Sequence, residues 1–378
     1  MNDTGFRSIA ITGGWGYIGR KLLDAAIRLG LEVSVHDPAP VPADVDRRRV
    51  RVIDDPEAFY RAPVELFHVA LHPDQRRAAL EALLVQRRDE SLSILVEKPM
   101  ALPERPGDCR ETIRWIERSR SVVLYDFPEL FDPITEKILA LLGRFRRVEI
   151  DRIELVRSKD REDPANPRNF KRMVTIQYQE AVHCLAFALR VLAAARGAFG
   201  AALADGLTAE ATAEPYRPPN PDLYPRQVDG MVRYRLAVGP TMIDGIADFR
   251  RGARWAKRRV IHGRGDGRPL RIECDFLEGG RRLLVDGRSD ETITKRNSYI
   301  EVIRAFGRWR RERTRDELHE GIWPNARLAH LAYQLSGVLW HAGFHGKPVA
   351  VAGLDELLDF ESGYAHAVER LPRDGRAD

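Results

Sequence analysis

Residues 7–12 (RSIAIT) form a short β-rich run, Gly14, Gly16 and Gly19 follow in a G-x-G-x-x-G spacing, and residues 17–29 (YIGRKLLDAAIRL) repeat their apolar groups at helical intervals. No other feature constrains the chain as strongly. Strand, glycine turn and helix in that order open a doubly wound sheet that holds a dinucleotide. The first glycine is expected to permit the tight turn, the second to let backbone N–H groups approach a pyrophosphate, and the third to let helix and strand pack closely. Gly14, Trp15, Gly16, Tyr17, Ile18 and Gly19 are therefore the candidate cofactor loop, with the helix N-terminus adding partial positive charge. A second run, Leu31 to His36, ends at Asp37, about 20 residues onward, where a carboxylate can accept both ribose hydroxyls of an adenosine. That favours NAD over NADP, although Arg47 to Arg49 would offset the charge if their loop folded back.

Further apolar runs at 50–53, 64–71, 92–96 and 121–124 alternate with helical stretches, one of them expected to start at Pro73 and run to 86. The spacing predicts an α/β fold, with a parallel Rossmann domain over 1–126. After a helix at 132–142 the texture changes to alternating runs near 146–157, 228–236, 240–248, 258–262, 269–275 and 282–286, which read as an open, mostly antiparallel sheet. A helix is expected at 174–195. Five prolines between 215 and 225 mark an exposed loop. Helices at 297–311 and 322–340 are expected to pack near the domain junction, within an α+β domain of 127–378 that would hold a polar substrate against the cofactor. The end, LPRDGRAD, reads as frayed.

The chain of 378 residues exceeds the roughly 250–300 at which a single core stops growing, which supports two domains. Its 31% charged residues and the absence of a long apolar run argue against a membrane span, and its start lacks the pattern of a secretory signal, so a cytoplasmic location is expected. Cys109, Cys184 and Cys274 fit neither a disulfide framework nor a metal-site spacing, and no metal is expected. The 61 basic residues are interspersed with 56 acidic ones and lack interleaved aromatics, so no nucleic-acid partner is expected.

The string Thr12-Gly13-Gly14-Trp15-Gly16-Tyr17-Ile18-Gly19 resembles the opening of extended short-chain dehydrogenases. Their chemistry needs a Tyr-x-x-x-Lys pair, and the only such spacing here, Tyr17 to Lys21, falls inside the glycine loop. A second likeness covers more of the chain. Glu97-Lys98-Pro99 after the strand SLSILV resembles the E-K-P motif of the Gfo/Idh/MocA oxidoreductases, and HVALHPDQRRAALEALL and VVLYDFPELFDPITEKILALLGRFRRVEI resemble that family's neighbouring segments. This resemblance, over roughly residues 7–345, implies a Rossmann domain joined to an open sheet that often mediates homodimers or homotetramers. It adds His72, Glu97 and Lys98 to the cofactor-binding set.

It also implies a reaction. Lys98 would hydrogen-bond the reacting oxygen of a sugar or cyclitol beside the nicotinamide, and His183, in QYQEAVHCLAFAL, would exchange its proton. Members of the family carry an aspartate four residues before that histidine, whereas this chain has Gln179 there and Glu180 at three residues. Helical spacing lets Glu180 support His183, with Gln179 left to hold substrate. In the basic loop RSKDREDPANPRNFKRM, Arg168 and Lys171 are candidate substrate contacts. The alternatives are a redox-neutral NAD-dependent glycosidase or epimerase-type enzyme, or a dinucleotide-binding regulator without turnover.

Overall fold

The structure is a computed structural model that describes residues 4–224, 226–277, 279–290, 292–293 and 296–369. The terminal segment 371–378 and Pro225 of the proline-rich stretch lie outside the described residues. The chain divides into two compact units. The first comprises Met1–Leu102, Pro106–Thr135 and Arg296–Ala329; the second comprises Pro103–Arg105, Glu136–Lys295 and His330–Asp378.

In the first unit, β1 (Ser8–Thr12), α1 (Tyr17–Arg28), β2 (Glu32–His36), β3 (Arg51–Val52), α2 (Pro56–Tyr60), β4 (Leu66–Val69), α3 (Arg76–Leu84), β5 (Ser93–Glu97), α4 (Gly107–Arg118) and β6 (Val122–Asp126) lead into α5 (Pro133–Leu142). The six strands pair in parallel in the order β3-β2-β1-β4-β5-β6. This is the doubly wound arrangement that the alternation of strands and helices predicted.

Helix α3 begins later than expected. Pro73 and Asp74 lie in a preceding turn, closed by the Gln75 N–H donating to His72 O at 3.0 Å, with His72 Nδ1 2.6 Å from Asp74 Oδ1.

The domain boundary also differs. The first unit runs past residue 126 to Thr135 and takes back α8 (Ser298–Glu312) and α9 (Arg315–Glu320). Val302, Ile303 and Phe306 form one stripe of α8 and join Ile9, Ile11, Leu95 and Leu124 of the sheet and Leu22 and Ala26 of α1 in a single core. Each such side chain contributes about 1.5–3 kcal/mol on burial. The helix expected at 297–311 near the domain junction thus belongs to the core of the first unit.

The second unit holds β7 (Val148–Ser158), α6 (Val182–Arg196), α7 (Phe199–Ala202), β8 (Leu207–Pro215), β9 (Asp229–Val238), β10 (Thr241–Asp248), β11 (Ala256–Gly265), β12 (Arg268–Asp275), β13 (Arg282–Val285) and β14 (Arg288–Ser289). The chain ends with α10 (Ala326–His345), β15 (Val349–Val351), α11 (Leu354–Leu358) and α12 (Tyr364–Glu369). The sheet order is β14-β13-β12-β11-β7-β10-β9-β8-β15, antiparallel except for the parallel pair β7–β10. β8 and β15 escaped sequence reading. LTAEATAEP is rich in alanine and glutamate, which are depleted in strands, and VAV is too short to show a period.

Helix α6 is buried along the whole of Val182–Ala193, as its nearly unbroken apolar sequence requires. The helix expected from 174 starts later, with a π turn over Gln177–Ala181 before the α-helical part. The Thr175 carbonyl accepts from the Gln179 N–H at 3.0 Å, while the β-branched Val174 and Thr175 stay outside the helix.

The proline-rich stretch is not a free loop. Tyr216 is buried and donates through its hydroxyl to Arg161 O at 2.8 Å, and Asn220 Nδ2 donates to Phe170 O at 2.6 Å.

Candidate functional site

In the glycine loop the tight turn is made one residue earlier than the G-x-G-x-x-G pattern suggests. Gly13 adopts φ +72°, the left-handed region that glycine enters without steric cost, and its carbonyl accepts from the Gly16 N–H at 3.1 Å. Gly14 instead serves close packing, since a Cβ there would press into the Val35 side chain of β2. Gly19 is also tightly packed, against the turn itself. A Cβ on it would lie 2.8 Å from Gly14 Cα and closer still to Gly13 O.

At Gly16, the residue capping α1, an added Cβ meets only Gly13 O at 3.2 Å and otherwise opens on free space. A bare backbone concavity at the start of a twelve-residue helix fits a pyrophosphate, because the first N–H groups of a helix have no partner inside it. Tyr17 is 39% exposed, with Lys21 Nζ 5.7 Å from its ring centre. Trp15 and Ile18 are half-buried.

Asp37 stands just past β2, as the spacing required. Its Oδ2 accepts from the Trp15 N–H at 2.9 Å and its Oδ1 from the Ala39 N–H at 2.9 Å, so the acidic residue and the glycine loop are tied together. Two members of the basic cluster are engaged elsewhere. Arg48 pairs with Asp46 at 3.0 Å, and Arg49 Nη2 donates to Ile27 O at 3.1 Å.

Lys98, half-buried, follows β5 directly and lies at the carboxyl edge of the parallel sheet, where ligands bind in this topology. The turn after it is clamped by Arg76, 2% exposed, whose Nη1 donates to Pro99 O at 2.6 Å and Nη2 to Leu71 O at 3.0 Å. Burial lowers the pKa of this guanidinium. Beside Lys98, Glu97 lies with its Oε1 3.3 Å from His68 Nε2. Burial resists ionisation of Glu97, yet His68 beside it holds the carboxyl below its usual value. Burial, and then Glu97, push Asp126 well above its own. Sequence reading missed His68, Asp126 and Arg76. A histidine within LFHVA and an aspartate closing VVLYD are polar residues in otherwise apolar buried strands, a signal that was present.

The remaining candidates belong to the second unit. Glu180 and His183 are 4% exposed each, Glu180 in the π turn and His183 in the first turn of α6. The carboxylate of Glu180 accepts from Arg157 Nε and lies 3.6 Å from Lys159 Nζ. Arg157 thus belongs to a buried ion pair at the end of β7, rather than to the basic loop RSKDREDPANPRNFKRM in which the sequence placed it. Gln179 Oε1 accepts from the Val174 N–H at 3.3 Å and braces the turn before the helix.

Gln177, also missed, donates through Nε2 to Asp229 Oδ2 at 2.7 Å and accepts from Thr175 Oγ1 at 2.9 Å. Burial raises the pKa of Asp229. Arg168 and Lys171 are exposed, and burial, together with Arg161 and Arg168, lowers the pKa of Lys171.

No family model matches the chain, and no curated protein matches it by sequence. Solved structures do match by fold. A myo-inositol dehydrogenase from Corynebacterium glutamicum is 15% identical, with 92% of this chain and 100% of that one covered at a TM-score of 0.63. The UDP-N-acetylglucosamine 3-dehydrogenase of Acidithiobacillus ferrooxidans is 12% identical over 88% and 95%, at 0.62. A super-repressor mutant of Gal80p from Saccharomyces cerevisiae is 12% identical over 93% and 99%, at 0.67. The six-stranded parallel sheet and the mostly antiparallel nine-stranded sheet of this chain therefore form the two-domain fold of inositol dehydrogenases and their Gfo/Idh/MocA-like relatives.

Proposed function

We propose that the protein is an NAD-dependent oxidoreductase that moves a hydride between the nicotinamide and a secondary alcohol or ketone of a sugar, cyclitol or related polar metabolite. The observation that carries this reading is the Gly13–Gly19 loop tied to the Asp37 carboxylate through the Trp15 N–H. NAD is favoured over NADP because a 2′-phosphate would meet Asp37, while Arg48 and Arg49 are engaged with Asp46 and Ile27. The solved dehydrogenases of the same fold act on an inositol and on a nucleotide sugar by name, which supports a polyhydroxylated substrate.

When bound, the nicotinamide supplies the hydride acceptor or donor. The chain's own groups handle the oxygen and its proton. The Lys98 ammonium polarises the reacting oxygen and stabilises the charge that develops on it. His183 takes the hydroxyl proton and returns it in the reverse direction. Glu180, held by Arg157 and Lys159, supports His183, and Arg168 and Lys171 contact the polar substrate. His72 and Glu97 complete the cofactor-binding set. The charged outer face of the nine-stranded sheet is the surface through which the chain forms a homodimer or homotetramer.

The test is the absorbance of reduced nicotinamide when the purified protein meets NAD or NADP and a panel of sugars, sugar phosphates and inositols. A compound that drives reduction in the wild type, but not in Lys98→Ala or His183→Ala chains that still bind cofactor, establishes the reading.

The likeness to the Gal80p super-repressor, together with Gln179 where the oxidoreductase pattern has an aspartate, favours a second reading, a dinucleotide-binding regulator without turnover. Tight NAD binding with no absorbance change over the whole panel would favour that reading. Bond cleavage in a glycoside without net reduction would point to redox-neutral chemistry instead.

A further inference from the structure

Beneath Lys98, three side chains converge on one face of the parallel sheet. In register His68 lies beside Leu95, and Glu97 beside Asp126. Glu97 and Asp126 follow Leu95 and Leu124 by two residues, so all three polar groups share the sheet face whose leucines pack in the core with α1 and α8. His68, Glu97 and Asp126 are 0%, 8% and 1% exposed. A donor atom of each lies within 4.8 Å of the others.

The His68 Nε2 to Glu97 Oε1 separation of 3.3 Å matches the edge of a tetrahedron built from bonds of about 2.0–2.1 Å. The Asp126 carboxyl lies within hydrogen-bonding reach of Glu97, and neither of its oxygens accepts from an N–H or hydroxyl donor among the described residues. Glu129, 3% exposed, adds a third buried acidic group that acts electrostatically on Asp126, and Lys98 is the cation acting on both Glu97 and Asp126. Buried carboxylates are stable when paired with cations or bound to a metal.

We propose that His68, Glu97 and Asp126 form a binding site for one divalent transition-metal ion. An imidazole with two carboxylates suits zinc or manganese better than calcium or magnesium, which prefer all-oxygen shells. Three protein ligands leave a coordination position for water or a ligand oxygen, the pattern of sites that take part in chemistry rather than of closed structural sites. The site lies wholly within the first unit and does not depend on the oxidoreductase reading.

The test is elemental analysis of the full chain produced in zinc- or manganese-supplemented medium and then desalted. It is followed by chelation, by reloading with zinc or manganese chloride under calorimetry and thermal unfolding, and by paramagnetic resonance of the manganese-treated chain. About one ion per chain, a higher unfolding temperature with the ion, and an immobilised manganese signal are expected. Asp126→Asn and His68→Gln should weaken binding by more than the roughly 10–100-fold that loss of an outer-shell partner costs.

If a variant does not fold, the stoichiometry and resonance of the wild type decide. An ion content well below one with no thermal shift overturns the proposal, as does binding that folded variants leave unchanged. A protonated-carboxyl infrared band in the wild type at neutral pH, removed by Asp126→Asn, would then show that the trio holds a proton instead.

Discussion

Arg157 at the end of β7 donates through Nε to a carboxylate oxygen of Glu180 in the π turn before α6, and the two side chains are only 10% and 5% exposed. The π turn sets the carboxylate against the strand, and the pair fixes the position of the segment that leads to His183. Removing one partner of a buried pair leaves the other charge stranded, at a cost of about 3–5 kcal/mol. Arg157→Met should sit near the lower end, because Lys159 Nζ remains 3.6 Å from the other oxygen. Glu180→Gln combined with Arg157→Met should cost less than the sum of the two single changes. Denaturant unfolding of the four chains checks this, and strict additivity would show that the pair carries no coupling.

The glycine loop makes two separable predictions. Gly19→Ala should disrupt both folding of the loop and dinucleotide binding, since its Cβ would collide with Gly13 and Gly14. Gly16→Ala should leave the unfolding midpoint nearly unchanged, because only Gly13 O approaches, at 3.2 Å, yet weaken NAD binding by filling the space that a phosphate would use. Calorimetric NAD titration beside thermal unfolding distinguishes these outcomes.

Arg76 acts on Lys98 through the backbone. Its fork holds Pro99 O and Leu71 O together from two separate nitrogens, and lysine, whose donors all sit on one nitrogen, cannot reproduce that rigid span. Arg76→Lys should therefore destabilise the first unit by about 1–3 kcal/mol, as expected for a buried carbonyl left without its donor. Hydrogen exchange should rise in the turn after β5. Unchanged protection there would show that the clamp is not needed.

His319 gives the first unit a pH dependence. It accepts from the Val123 N–H at 3.4 Å, and burial, with Arg315 adding to it, lowers its pKa to about 4 from the usual 6.5. Between those values the unfolded chain binds a proton that the folded chain refuses, so stability falls as pH drops from 6.5 toward 4 and levels off below. The loss amounts to roughly 3 kcal/mol at most. His319→Gln should flatten that part of the stability curve.

On the open face of the nine-stranded sheet, Arg235 pairs with Asp244 at 2.9 Å, Asp244 with Arg152 at 3.0 Å, Arg152 with Glu154 at 3.6 Å, and Glu154 with His262 at 3.4 Å. A face laced with alternating charge associates in a salt-dependent manner. If copies of the chain assemble through it, sedimentation should show the assembly loosening as ionic strength rises from about 0.05 to 0.5 M, and Asp244→Arg should hasten the loss.

Local sequence determined the parallel sheet, the glycine loop, the acidic end of β2 and the apolar helix α6, because each depends on periodicity or on a residue type that few conformations accept. It also placed Lys98 at a strand end. Which glycine makes the turn was not legible, since Gly13 and Gly14 differ only in what stands beside them, and only the packing of Val35 decides. The assignment of α8 to the first core, the pairing of Glu180 with Arg157 23 residues away, and the meeting of His68, Glu97 and Asp126 from three strands are contacts between segments distant in sequence. Each needs the register of a sheet or the path of a returning helix. These are properties of the folded chain as a whole, and no local window of residues contains them.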